Sequence, residues 1–440
     1  MIGICKGIAN ALIAAILCTL TMHTEAPCQT DIDFDAYFES KTLRMDYFHT
    51  GAKTENIYSL DEFIEEPVWA GSRINLIDNT NLGKYLVRVI DIATNVVIYS
   101  RGYCTIFNEW QTTDEALDNF RRTFHETVRV PYPRHPVQIV IAERDRQNIF
   151  HEMYSVTIEP DSRFIKRDRR FSGLQALDLV ENGHPSEKVD ILFVGEGYAA
   201  DDTDKFRTDA EKYRDALFSY SPFKENKEKF NIRAVAPVSP EPGTDEPRRG
   251  IFKETPVNSS FNALDLERYL LTNDNRTLRD IAGNFPYDHI ILLVNSSRYG
   301  GGGIFNWYSI TTVDNRRSDY VFIHEFGHCF GGLGDEYFNS QVSYNEFYPL
   351  DVEPWEPNIT SLLDKNNMKW KQFITEDIPI PTPPDNEKYA ETVGCYEGAG
   401  YAAKGLYRPY IDCIMHTGRN GIFCPVCAAA IQRIIDLYSR

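Results

Sequence analysis

The sequence predicts a mixed chain of the α+β or α/β class, an N-terminal β-sandwich followed by a larger domain of layered strands and helices. Three observations carry this. Short segments between residues 30 and 160 alternate apolar and polar side chains with the two-residue period of strands. From residue 187 onward the period changes, and nearly continuous apolar strands alternate with amphipathic helices. At 440 residues, 42% hydrophobic and 25% charged, the chain has the composition of a globular protein and length for two or three domains.

The elements follow in order. Residues 1–28 read as a signal peptide, with Lys6, an apolar run from Ile8 to Leu20 and small residues after it. The run is short for a membrane span. Cleavage after Ala26 or after Cys28 fits the pattern, and an uncleaved anchor is the alternative. Export follows, to a secreted, periplasmic or cell-surface location, with no stable membrane insertion once the signal is removed. Residues 29–160 form the sandwich. In Lys41–Phe48, Leu43, Met45 and Tyr47 share one face and Thr42, Arg44 and Asp46 the other. Tyr85–Asp91, Val96–Tyr99, Val137–Ala142 and Met153–Ile158 are further strands, and Asp114–Arg121 a short helix. Residues 161–186 are polar and read as a linker.

Residues 187–440 form the second domain. Val189–Val194, Phe230–Pro237, Asp288–Val294 and Ile304–Val313 are predicted strands. Asp202–Phe218, Leu264–Leu271 and Asp319–Phe330 are predicted helices. With 64 acidic against 46 basic residues, a formal charge of −18 argues against nucleic acid or an anionic membrane as the main partner.

The chemistry concentrates in Ser318–Tyr337. Ser318 is an N-cap candidate and Gly331-Gly332 a stop. His324 and His328 are four apart, so a helix sets both imidazoles on one face, where they can share a metal ion. Glu325 is placed to act as general base rather than ligand. Val321, Phe322 and Phe326 bury this helix, and a buried helix carrying two His and a Glu needs partners for them. The pattern therefore points to one catalytic Zn2+. Such an ion takes three protein ligands and keeps one position open. Asp335, after the glycine turn, is the preferred third ligand, with its neighbour Glu336 as the alternative. The acids further on, Glu346 to Glu356, sit among prolines that disfavour a second ligand-bearing helix.

Downstream, Met415 stands in a predicted tight turn, Asp412–Thr417, ahead of the last helix. It resembles the Met-turn of metzincin proteases, where the thioether packs beneath the metal. His416, Tyr401 and Arg408 are candidates for substrate or transition-state contacts, since a gem-diolate benefits from nearby donors.

Four glycines in Arg298–Tyr308 lack the Gly-Lys-Ser/Thr of a phosphate loop. They read instead as a rim leading into an edge strand, Ile304–Val313, that could pair with an extended substrate. Six cysteines follow the signal. Export permits disulfides among Cys395, Cys413, Cys424 and Cys427, the preferred reading; a structural zinc on those four is the alternative. Cys424-Pro-Val-Cys427 at the last helix is out of place for a thiol redox motif. Cys329 reads as apolar filler and Cys104 as isolated.

Taken together, residues 189–338 and 395–430 resemble the family of secreted bacterial metallopeptidases that includes the immunoglobulin A peptidase, family M64. The marks are Val189–Tyr198, the long motif His324–Tyr337, Met415 and Phe423–Cys427. The resemblance implies a zinc-dependent endopeptidase of metzincin-like architecture, acting on protein or peptide substrates, with an N-terminal sandwich. In the commoner metzincin motif the third ligand would stand where Gly334 does; Asp335 comes one later. The competing class is a non-catalytic adhesin or a glycan- or protein-binding module on the same fold. The intact His324, Glu325 and His328 argue against it.

Overall fold

Alternation in the N-terminal third produces two four-stranded sheets. The computed structural model describes residues 32–338, 348–362 and 364–440; the predicted signal peptide lies outside the described residues. After a single turn, α1 (Phe34–Tyr37), come β1 (Phe38–Ala52), β2 (Glu55–Glu66), β3 (Tyr85–Asp91) and β4 (Val96–Tyr103). Two short helices, α2 (Ile106–Trp110) and α3 (Asp114–Leu117), lead to β5 (Arg122–Pro133), β6 (Val137–Arg144), β7 (Phe150–Ile158) and the two-residue β8 (Ile165–Lys166). The strand orders are β5-β1-β2-β8 and β4-β3-β6-β7. The sheets meet through aromatic and polar side chains: Tyr47 and Tyr103 hydroxyls lie 3.0 Å apart, and the His49 ring is edge-on to Tyr85.

Strands β2 and β5 are absent from the sequence expectation. Their charges hide the period, because several point inward and are hydrogen-bonded there. Arg129 donates to Glu66 at 2.8 Å, and His49 contacts Glu126 at 3.1 Å.

The second part is built on one six-stranded sheet. Its elements are β9 (Leu177–Val180), β10 (Val189–Glu196), α4 (Thr203–Leu217), β11 (Phe230–Val235), α5 (Asn275–Ala282), β12 (His289–Val294), β13 (Gly301–Ile304), β14 (Tyr308–Thr312) and α6 (Ser318–Gly331). A small hairpin, β15 (Tyr396–Ala399) and β16 (Ala402–Arg408), precedes the last helix, α7 (Pro425–Tyr438). The order is β13-β14-β12-β10-β11-β9. The inner four strands are parallel; β13 and β9 pair antiparallel at the edges. Every residue of β10 and β12 is buried, which is why these strands read as continuous apolar runs. The stretch 161–186, read as a linker, supplies β8 to an N-terminal sheet and β9 to this one.

Two expectations need correction. Leu264–Leu271 is not a helix. Leu264 and Asp265 have positive φ (51° and 61°), which an α-helix excludes. A turn follows, in which Tyr269 N–H donates to the Leu266 carbonyl at 2.9 Å, and Leu271 then exchanges backbone hydrogen bonds with Ser260. Ile304–Val313 is not one edge strand either. The chain turns at Phe305–Trp307, so the glycine segment β13 is the edge and β14 lies inside.

Both faces of β1 are buried, although its alternation suggested one wet face. Arg44 is 1% exposed and Asp46 0%. Arg44 donates to Asp46 at 2.9 and 2.6 Å and to Asp280 of α5 at 2.7 Å. The polar face of β1 thus seats on α5, and Asp33–Arg440 form one compact unit. Replacing Arg44 by Ala would leave the buried Asp46 carboxylate without its guanidinium partner, while Asp280 and Glu66 would keep Arg170 and Arg129. Loss of one partner of a buried pair costs about 3–5 kcal/mol, so chemical denaturation of Arg44→Ala should show a loss of that order.

Candidate active site

Helix α6 forms because one face is fully apolar and is received by the sheet and α4. Phe322 packs against Phe193 and Tyr213, with ring centroids 6.4 and 5.0 Å away. Gly332, at φ 61°, ends the helix in the left-handed conformation that suits glycine. The start differs from expectation: Arg317 is the N-cap, and Ser318, the first helical residue, accepts from the Asn315 N–H through its hydroxyl.

On the opposite face His324 and His328 converge. Their Nε2 atoms lie 3.2 Å apart. His324 Nδ1 is 2.9 Å from the Ile414 carbonyl and His328 Nδ1 2.6 Å from the Leu333 carbonyl. A carbonyl can only accept, so each Nδ1 donates, and the two Nε2 atoms, the potential ligand atoms, face the same point. Asp335 meets them there, its Oδ1 3.2 Å from His324 Nε2 and 3.3 Å from His328 Nε2. That oxygen is buried and has no hydrogen-bond partner. Two imidazole nitrogens and one carboxylate oxygen suit a divalent ion of zinc's borderline softness.

Glu336, the alternative third ligand, faces away. Its backbone N–H donates to the Met415 carbonyl at 2.8 Å, and its carboxylate lies among cysteines. Tyr401 donates to the second oxygen of Asp335 at 2.5 Å, orienting the first toward the imidazoles. Its backbone is held at φ 66°, uncommon for a non-glycine residue. Met415 is fully buried; a Cβ on Gly327 would stand 2.7 Å from its sulfur, so the turn packs directly beneath α6 between the two His. The same turn supplies the Ile414 carbonyl to His324.

The remaining sequence candidates divide. His416 lines a recess together with His324 and Glu325. Arg408 does not reach the histidines: it is buried and donates to the carbonyls of Glu397 and Gly398 at 3.0 and 2.5 Å, bracing the β15–β16 hairpin. The expected disulfides are not formed; all six described cysteines are free thiols.

The cleft also contains residues that sequence reasoning missed. Arg268, Tyr269, Tyr337, Tyr348 and Glu356 line it with the His–Asp trio, and Glu109 reaches it from the N-terminal part. Tyr269 donates to Glu109 at 2.5 Å. Tyr348 donates to Glu356 at 3.1 Å, and burial pushes the Glu356 carboxyl up to about 7. Only Tyr337 carried a sequence signal, as the end of the long motif. The β13 glycines let this edge strand lie against α6: a Cβ on Gly303 would stand 2.1 Å from the Glu325 carbonyl oxygen. The outer side of β13 is partly covered, since Leu270 N–H donates to the Gly301 carbonyl.

Electrostatics follow from this crowding. Burial raises the Glu325 carboxyl, the neighbouring imidazoles pull it back, and Asp335 adds to the rise. Burial also works against the Asp335 carboxylate, but the two imidazoles outweigh it and hold it well below the usual range. Burial lowers His328, yet Asp335 outweighs that and lifts it to about 9. His328 therefore carries a proton at neutral pH, which a metal ion bound there would have to displace. Zinc affinity of the metal-free protein should rise by about tenfold per pH unit through neutrality and flatten above about 9. Competitive titration with a chromophoric chelator between pH 6 and 10 checks this.

Family models match nearly all of the described chain. The model described as IgA Peptidase M64 matches residues 177–391 and 384–435, and the Peptidase M64 N-terminus model matches 33–155. A search of the curated proteins found no match. The first model alone spans more than half the sequence, and its matched region contains the helix with the two histidines, Glu325, Asp335 and the Met415 turn. The chain belongs to the IgA peptidase M64 family.

Proposed function

We propose that the protein is an exported zinc-dependent endopeptidase that hydrolyses peptide bonds of protein substrates. One observation carries this: His324 Nε2, His328 Nε2 and Asp335 Oδ1 converge within 3.3 Å of one another, with Glu325 alongside in the same cleft. These three residues would hold the ion, which when bound would supply a Lewis acid to acidify water and polarise a carbonyl.

The chain's own groups then have distinct tasks. Glu325 accepts a proton from the attacking water at its carboxylate and returns it to the leaving amine. Tyr401 holds Asp335 in place. Arg268 and His416 stand where they can meet a developing negative charge. The N-terminal residues 29–160 act as an accessory module joined through 161–186 to the catalytic domain, 187–440, and residues 1–28 direct export. No helix among the described residues is long and apolar enough to cross a membrane.

Metal removal tests the reading. Dialysis against a strong chelator should abolish cleavage of an unfolded protein substrate. Zinc, but not magnesium, should restore it, because an N,N,O set disfavours a hard ion. Full activity in the metal-free protein would refute the proposal.

A further inference from the structure

Glu336, Cys413, Cys424 and Cys427 come from three separate segments, yet one ligand atom from each lies within 4.8 Å of all the others. All four residues are 0% exposed. Glu336 leaves the active-site loop directly after Asp335. Cys413 begins the turn that carries Met415. Cys424 is the N-cap of α7, where its sulfur accepts from the Cys427 N–H, and Cys427 is in the first turn. Cys395, which the four-cysteine alternative required, is not in the group.

From this geometry we infer a second metal site, a structural zinc held by three thiolates and one carboxylate. Cys413 and Cys427 sulfurs lie 3.8 Å apart. A disulfide needs about 2.05 Å, whereas Zn–S bonds of about 2.3 Å at tetrahedral angles set sulfurs about 3.8 Å apart. Glu336 Oε1 is 3.1 Å from Cys427 Sγ and accepts from Asn358 at 3.0 Å. Glu336 Oε2 is buried and has no partner. A buried carboxylate with an unsatisfied oxygen beside three thiols is costly unless a cation joins it. Backbone N–H groups of Cys424 and Cys427 donate to the sulfurs of Cys413 and Cys424, the outer-shell pattern that supports thiolates.

Sulfur ligands select zinc over calcium or magnesium. Four protein ligands leave no open position, so the site is structural rather than catalytic. Its consequence is positional. It fixes Glu336, and so the loop bearing Asp335; it fixes Cys413, and so the turn whose Ile414 carbonyl orients His324; and it anchors α7 to both. The inference does not depend on the catalytic reading.

The test is zinc stoichiometry with X-ray absorption at the zinc edge, on full-length protein purified without chelator. Wild type should hold two zincs per chain with three sulfurs shared between them. His324→Ala/His328→Ala should keep one zinc, bound to three sulfurs and one light atom. Cys424→Ser/Cys427→Ser should keep one without sulfur. If that last variant fails to fold, the wild-type spectrum and the histidine variant still decide. Zinc without sulfur ligands in the wild type, or a Cys413–Cys427 disulfide by intact mass, would overturn the site. Two zincs persisting in the histidine variant would instead contradict the catalytic reading alone.

Discussion

Asp335→Ala should lose the ion at the imidazoles and with it essentially all proteolysis, while the fold survives. Among the described residues, Asp335 is the carboxylate that reaches both Nε2 atoms, 3.2 and 3.3 Å away. Losing an outer-shell partner alone costs roughly 10–100-fold in affinity or activity, and an inner ligand should cost more. Removing Asp335 also removes the charge that lifts His328 to about 9. Any weak residual zinc uptake by the variant should therefore have its pH dependence moved toward neutral pH. Glu336→Ala separates the neighbouring carboxylates. It should retain the histidine-bound ion, because the Glu336 side chain faces Cys427 and Asn358. If Glu336→Ala lost that ion while Asp335→Ala kept it, the ligand assignment would be wrong. Metal analysis paired with a peptide assay reads both.

Glu325→Gln should leave zinc bound and reduce kcat by on the order of a hundred- to ten-thousand-fold, the usual contribution of a positioned general base. The amide has nearly the shape of the carboxylate but cannot take a proton from water. The carboxylate sits recessed beside β13, where Gly301 leaves space: a Cβ there would stand 3.1 Å from Glu325 Cγ. The substitution should therefore cause little disturbance, and unchanged thermal unfolding would show that the loss is chemical. Wild-type rates in this variant would remove Glu325 from the mechanism.

What could be read in the sequence depended on how local the physics was. The convergence of His324 and His328 was legible because four-residue spacing puts two side chains on one helical face whatever surrounds them. The buried strands β10 and β12 were legible because burial on both faces leaves only apolar residues. The choice between Asp335 and Glu336 was open, since adjacent residues in irregular backbone can face either way. In the structure two remote partners sort them: Tyr401 draws Asp335 to the imidazoles, and Asn358 with Cys427 draws Glu336 away. Helix α5 was hidden because Arg279 and Asp280 are buried by pairing with distant groups rather than by apolarity. Arg268 and Glu356 carried no motif, and only the folded path of the chain brings them to the cleft. Leu264–Leu271 looked helical because its apolar residues match a helical period. In the structure Leu270 and Leu271 are buried beside bridges to Gly301 and Ser260, whereas Leu264 and Leu266 are only half-buried.

Cleavage of a diverse peptide library, read by mass spectrometry, tests the central claim most directly. Zinc-loaded wild type should cut at internal peptide bonds. The chelated enzyme and zinc-loaded Glu325→Gln should leave the same peptides intact. A wild-type protein with zinc on His324, His328 and Asp335 that cuts no peptide would contradict the account and point to a binding role for the fold.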